Sequence, residues 1–99
     1  MEIVKTDEGS KLTFAVKGRL DTVTSPELQA ELDKVVDAVN DFVFDFSALD
    51  YISSAGLRVL LSMNKKMAAR GGSLLITGAN AVVKDVFDMT GFSDILKLA

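Results

Sequence analysis

Cysteine, histidine and tryptophan are absent from this 99-residue chain, and proline and tyrosine occur once each. Without cysteine there is no disulfide, no thiolate nucleophile and no thiolate metal ligand. Without histidine there is no Ser-His-Asp triad and no ordinary zinc site. Missing cysteine also fits a reducing compartment. Basic residues are outnumbered, 11 Lys and Arg against 14 Asp and Glu, and the net charge of −3 has the wrong sign for a surface that displaces counterions from nucleic acid. No apolar run approaches the roughly 20 residues of a membrane span. The opening residues MEIVKTDEGS lack the apolar stretch of a signal peptide. The chain is therefore expected in the cytoplasm, away from membrane and nucleic acid, with no cofactor and no metal.

What is present suffices for a core: 48% of residues are hydrophobic and 25% are charged. At this length about two-thirds of the unfolded surface can be buried, so one domain spanning residues 1–99 is expected.

Ile3–Val4 and Leu12–Val16 read as strands around the turn-rich Thr6-Asp7-Glu8-Gly9-Ser10, with Leu12, Phe14 and Val16 alternating with Thr13, Ala15 and Lys17. A helix start follows at Thr24-Ser25-Pro26-Glu27, where Thr24 or Ser25 can cap and Pro26 is tolerated in the first turn. Its apolar positions Leu28, Leu32, Val35, Val36 and Val39 recur at helical spacing. Phe42–Phe46 is a strand. After a loop over Ser47–Ser53, a second helix runs through Leu57, Leu60, Leu61, Asn64, Met67 and Ala68 to a stop at Gly71-Gly72. Ser73–Thr77 is another strand, Asn80–Met89 another helix, and Ile95–Leu98 a final strand. The order β-β-α-β-α-β-α-β predicts an α/β fold. Its sheet should be mixed but mostly parallel, with an N-terminal hairpin at its edge, and covered by helices.

In such sheets the loops after the carboxyl ends of strands gather on one edge. Here they are Gly18–Thr24, Ser47–Ser54 and Gly78–Asn80. In the middle one, Asp50-Tyr51-Ile52-Ser53-Ser54-Ala55-Gly56-Leu57, two hydroxyls open a helix whose first turn holds Ala55 and Gly56. Serine there is a favoured N-cap. A helical glycine costs about 1 kcal/mol relative to alanine, so Gly56 asks for a reason, such as the close approach of another backbone or protein. A nucleophilic serine lacks a base, and no phosphate-binding glycine motif is present. Gly18-Arg19-Leu20-Asp21 is either a turn with surface charges and one buried leucine, or a way of bringing the Asp21 carboxylate to the edge that carries Ser54. Lys65-Lys66 and Arg70 read as a solvated helix face, and Met63, Met67, Met89 and Phe92 as packing.

Gly18-Arg19-Leu20-Asp21-x-x-Thr24, Phe42-Val43-Phe44-Asp45-Phe46 and above all Tyr51-Ile52-Ser53-Ser54-Ala55-Gly56-Leu57 resemble the STAS domain family, in its bacterial anti-sigma factor antagonist branch. The likeness extends to Gly72 and to Thr90-Gly91-Phe92. It implies a partner-switching phosphoprotein in transcription regulation, not an enzyme. The serine two places before the glycine, here Ser54, is the implied phosphoacceptor. The implied partners are an anti-sigma factor that acts as the serine kinase, and a serine phosphatase; the free protein is expected to be a monomer. The implied partner-binding residues are Asp21, Thr24, Asp50, Ser53, Ser54, Ala55, Gly56 and Arg58, with Ser62, Lys84 and Asp88 adjoining. Ser53 stands where relatives often carry aspartate, and many relatives continue through a further helix where this chain stops at Ala99. An adaptor subunit of a transport or other signalling complex is the alternative within the family. A nucleotide-hydrolysing enzyme using Asp21 and Ser54 is the alternative outside it.

Overall fold

A computed structural model describes residues 1–99 throughout. Strands β1 (Glu2–Glu8) and β2 (Lys11–Leu20) form the antiparallel hairpin, from Glu2 opposite Lys17 to Glu8 opposite Lys11. Its turn needs Gly9, whose φ of 79° disfavours a side chain. Helix α1 (Ser25–Asp33) leads to β3 (Asp41–Asp45), a short strand β4 (Leu49–Ile52) leads into helix α2 (Ser54–Ala69), and β5 (Ser73–Thr77), α3 (Ala81–Thr90) and β6 (Lys97–Leu98) complete the chain.

The sheet order is β1-β2-β3-β5-β6, and every pairing after the hairpin is parallel. Each parallel step advances across the sheet in the same direction, so right-handed crossovers put α1, α2 and α3 on one face. That face carries Phe14, Val16, Phe42, Phe44, Leu74 and Ile76, all buried, whereas Thr13, Ala15, Val43, Asp45, Leu75 and Thr77 on the other face are half-buried. The phenylalanines touch edge to face, Phe14 to Phe42 at 5.0 Å and Phe42 to Phe44 at 4.8 Å between ring centres. Such pairs add about 0.5–1.5 kcal/mol each to the burial of their rings.

The sequence reading departs from the structure in several places, the first being that β1 runs on to Glu8 and β2 to Leu20, through residues read as turn and loop. Helix α1 ends at Asp33, and Val36–Ala38 form a 3-10 turn in place of further α-helix. Val36 and Val39 are buried all the same, because the turn packs against α1 and α2. Within the expected loop over Ser47–Ser53 lies β4, which pairs with β2. The final strand is confined to Lys97–Leu98.

Strand β2 outlasts its first partner. Its beginning pairs with β3, from Lys11 opposite Asp41 to Ala15 opposite Asp45, and its end, Gly18–Leu20, pairs with β4 across a register shift after Gly18. Gly18 has φ +92°, a backbone that other residues rarely adopt. The bend lets one strand serve two neighbours and brings the carboxyl ends of β2 and β4 side by side.

Candidate functional site

Hydrogen bonds tie the carboxyl end of β4 to that of β2, the residue after β3 to the end of β5, and the loop after β5 to the start of β4. The Ser53 N–H donates to the Leu20 carbonyl at 2.9 Å, the Phe46 N–H to Thr77 O at 2.8 Å, and the Asn80 side-chain amide to Leu49 O at 3.0 Å. Asn80 also caps α3, its Oδ1 accepting from the Val83 N–H at 2.9 Å. The three loops therefore form one edge, with Asp21 next to Leu20 and Ser54 next to Ser53.

The two serines have different jobs. Ser53 is the N-cap of α2, its hydroxyl accepting from the Gly56 N–H at a long 3.4 Å, and it is half-buried. Ser54 is the first residue of the helix, is exposed, and takes no part in the cap. A helix N-terminus offers free N–H groups and a positive dipole end, so the local field favours negative charge on Ser54.

Gly56 has its reason inside the fold. A Cβ there would lie 2.8 Å from Ile52 Cγ1 and 2.8 Å from Leu20 Cγ, closer than side chains pack. The first turn of α2 is thus seated directly on the last residues of β4 and β2, both of them buried. The close approach expected from the sequence is to the protein's own core.

Asp21 and Thr24 build the turn into α1. Asp21 Oδ1 accepts from the Val23 and Thr24 N–H groups, each at 3.0 Å, and the Asp21 N–H donates to Thr24 Oγ1 at 2.9 Å. Buried Ser25 donates its hydroxyl to Asp21 O. The Thr24 N–H above all holds the Asp21 carboxyl below the usual range; burial opposes it as the second-largest effect, and the Thr24 hydroxyl, the Val23 N–H and the Arg19 charge add to the lowering. The second carboxylate oxygen faces Arg19 Nε at 3.8 Å, and the Arg19 guanidinium lies 4.5 Å from the centre of the Tyr51 ring. Arg19 and Tyr51 are opposite one another across β2 and β4, a pairing hidden from the sequence while β4 reads as loop.

Asp21→Asn keeps the acceptor oxygen and removes the charge, whereas Asp21→Ala removes both. Thermal melts should show the asparagine variant close to wild type and the alanine variant several degrees lower. Equal melting temperatures would mean that the turn does not depend on this carboxylate.

Of the remaining residues singled out in the sequence, Asp50 is exposed on β4, Ala55 is half-buried and Arg58 is exposed one turn along α2 from Ser54. Lys84 and Asp88 are exposed on α3, which packs against β4. Met63 and Met67 are core residues, while Met89 is exposed.

Three other carboxyls are also lowered. Glu31 is held down chiefly by its hydrogen bond from Lys34 and then by Lys5, Asp33 by Gln29 and then Lys66, and Asp45 by the Ser47 N–H. A carboxyl that is more acidic folded than unfolded stabilises the fold above its unfolded pKa, ordinarily 3.8 for Asp and 4.5 for Glu here, and that contribution is lost as pH falls through the folded value. With no histidine or cysteine, no side chain titrates ordinarily between about pH 5 and 8. The melting temperature should therefore be flat from about pH 5.5 to 8 and fall below about pH 4.5. A slope near pH 6.5 would contradict this assignment.

A one-sided α/β layer with an uncommitted serine opening its central helix defines a small module built to present a loop edge. The STAS domain family model matches residues 2–99, and the chain belongs to that family. BtrV of Bordetella bronchiseptica, named as a candidate anti-sigma factor antagonist, is 36% identical over 89 residues, covering 89% of this chain and 77% of BtrV. The anti-sigma-B factor antagonist of Bacillus subtilis is 26% identical over 84 residues, covering 85% of this chain and 77% of the relative. Among solved structures, the anti-sigma factor antagonist SpoIIAA in its unphosphorylated form has a TM-score of 0.87 at 18% identity, covering 99% of this chain and 88% of that one. The phosphorylated form of the Bacillus protein SpoIIAA gives 0.79 at 17% identity, covering 99% and 91%. These structures share the fold. No helix is long and apolar enough to cross a membrane.

Proposed function

We propose that this chain is a phosphorylation-controlled protein-binding switch, an anti-sigma factor antagonist. With Ser54 unmodified it captures an anti-sigma factor and so frees a sigma factor for transcription. The same anti-sigma factor, acting as a serine kinase, modifies Ser54 and is released, and a serine phosphatase restores the binding form. The protein works by binding and not by turnover.

The observation that carries this reading is the division of labour between the serines: Ser53 is used as the cap, and exposed Ser54 is free beside it. A phosphate on Ser54 adds about −1.5 to −2 charges where helix N–H groups and the dipole accept them. It leaves the domain's packing alone and changes the surface that a partner meets. The relatives named as anti-sigma factor antagonists support the same reading.

Incubation with a cognate kinase followed by peptide mass spectrometry tests the assignment. The phosphate is expected on Ser54. Phosphate confined to Ser53 would require the cap to be given up and would overturn it.

A further inference from the structure

We infer that the outward stripe of α2 formed by Arg58, Ser62 and Lys65, with Leu61 at its floor, docks an acidic segment of a protein partner. This deepens the reading above and rests on it only in taking the Ser54 edge as the partner's edge.

Five of the 11 basic side chains have a carboxylate within salt-bridge distance and six, Lys11, Lys17, Arg58, Lys65, Lys84 and Lys97, do not; only Arg58 and Lys65 of the six share a helix face. Lys5 and Lys34 are paired with Glu31, Arg19 with Asp21, Lys66 with Asp33 and Arg70 with Asp37. Lys65, Lys66 and Arg70 are all exposed, as a solvated face requires, but they differ in their partners. Lys66 reaches back to α1 and Arg70 to the 3-10 turn after it, whereas Arg58 and Lys65 are exposed and have no carboxylate within salt-bridge distance. Arg58, Ser62 and Lys65 follow one another at the spacing that aligns residues on a helix surface, and Ser54 stands at the head of the same stripe. Between the two cations lies a shallow groove of about 400 Å³ lined by Arg58, Leu61, Ser62, Lys65 and Lys66.

Two cations about 10 Å apart along a helix, flanking a half-buried leucine, match a segment that presents two carboxylates at similar separation around an apolar residue. A nucleic acid fits less well, because two isolated cations on either side of a leucine do not follow the continuous charge of a phosphate backbone. The stripe is also coupled to Ser54. A negative group there lies one turn before Arg58, where it pairs with the guanidinium and repels an acidic partner at once.

The test is a titration of the isotopically labelled full chain with a decaglutamate peptide at low salt, read by amide chemical shifts. The largest shifts are expected at Arg58, Leu61, Ser62 and Lys65, fading at 0.3 M salt in line with a Debye length of only a few ångströms, about 5–6 Å. The double variant Arg58→Gln/Lys65→Gln should weaken binding about fivefold to tenfold, and Ser54→Asp about threefold, while Lys11→Gln leaves it unchanged. Shifts centred on Lys11, Lys17, Lys84 or Lys97, a double variant or a Ser54→Asp variant that binds like wild type, or tighter binding of a single-stranded DNA 20-mer would each overturn the proposal. Should an anti-sigma factor bind the Ser54→Asp protein as tightly as wild type while the peptide still maps to α2 and is weakened by that substitution, the switch reading falls and the docking stripe stands.

Discussion

Ser54→Asp should weaken capture of an anti-sigma factor by a hundredfold or more while leaving the fold intact. The two effects of the new charge are unequal. At the first position of α2 it meets the positive end of the helix, which contributes about 0.3–1 kcal/mol of stability. Against a docked protein surface, a misplaced charge costs several kcal/mol, and each 1.4 kcal/mol is tenfold in affinity. Calorimetric titration should therefore show binding lost, with a melting temperature within a few degrees of wild type. Ser54→Ala should bind and stay bound in the presence of ATP and kinase, because the acceptor hydroxyl is gone. Amide shifts on phosphorylation should cluster around residues 50–60 and the neighbouring loops. Shifts spread across the sheet would mean that phosphate acts by refolding the domain, and undiminished binding by Ser54→Asp would sink the switch itself.

The second large effect is expected at Gly56. Its backbone is ordinary helix, so the constraint is space and not conformation. In Gly56→Ala the gain in helix propensity, about 1 kcal/mol, is set against overpacking of about 1–3 kcal/mol where the new Cβ meets Ile52 and Leu20. A net loss of up to about 2 kcal/mol follows. Gly56→Val adds two methyls beyond the alanine Cβ in a core that has no room for them and should lose about 3 kcal/mol or more. Because relief requires α2 to lift from the ends of β2 and β4, the same variant should also displace Ser54 and lower its rate of phosphorylation. Denaturant titrations of the two variants check this: a valine protein as stable as wild type would mean that the helix is not seated on those strand ends.

The sheet was legible because its strands announce themselves by alternation. Phe42 and Phe44 in one strand, and Leu74 and Ile76 in another, place their large side chains on a single face, and the helix between them has an apolar stripe of its own. Strand β4 was not legible, since Leu49-Asp50-Tyr51-Ile52 is too short for a pattern and pairs only with the far end of β2. The end of α1 was misread for the opposite reason. Val35, Val36 and Val39 keep helical spacing and are turned inward, Val36 and Val39 fully and Val35 in part, yet the backbone leaves the α-helix at Asp33. At the site, the motif singled out Ser54, but spacing alone could not assign the cap to Ser53. Gly56 was recognisable as anomalous, though the atoms that exclude its side chain, on Leu20 and Ile52, come together only in three dimensions.

Tyr51 is the one phenol in a chain without indoles, and it lies beneath Arg19 at the edge that carries Ser54. Near-ultraviolet absorption and emission beyond the phenylalanine bands thus originate from a single ring at the loop edge. Docking of a partner free of both tryptophan and tyrosine that draws Arg19 away from that ring should change its emission, so binding and release can be followed optically without a label. The same economy of chromophores makes absorbance at 280 nm a poor measure of concentration for this protein, and peptide-bond absorbance the better one.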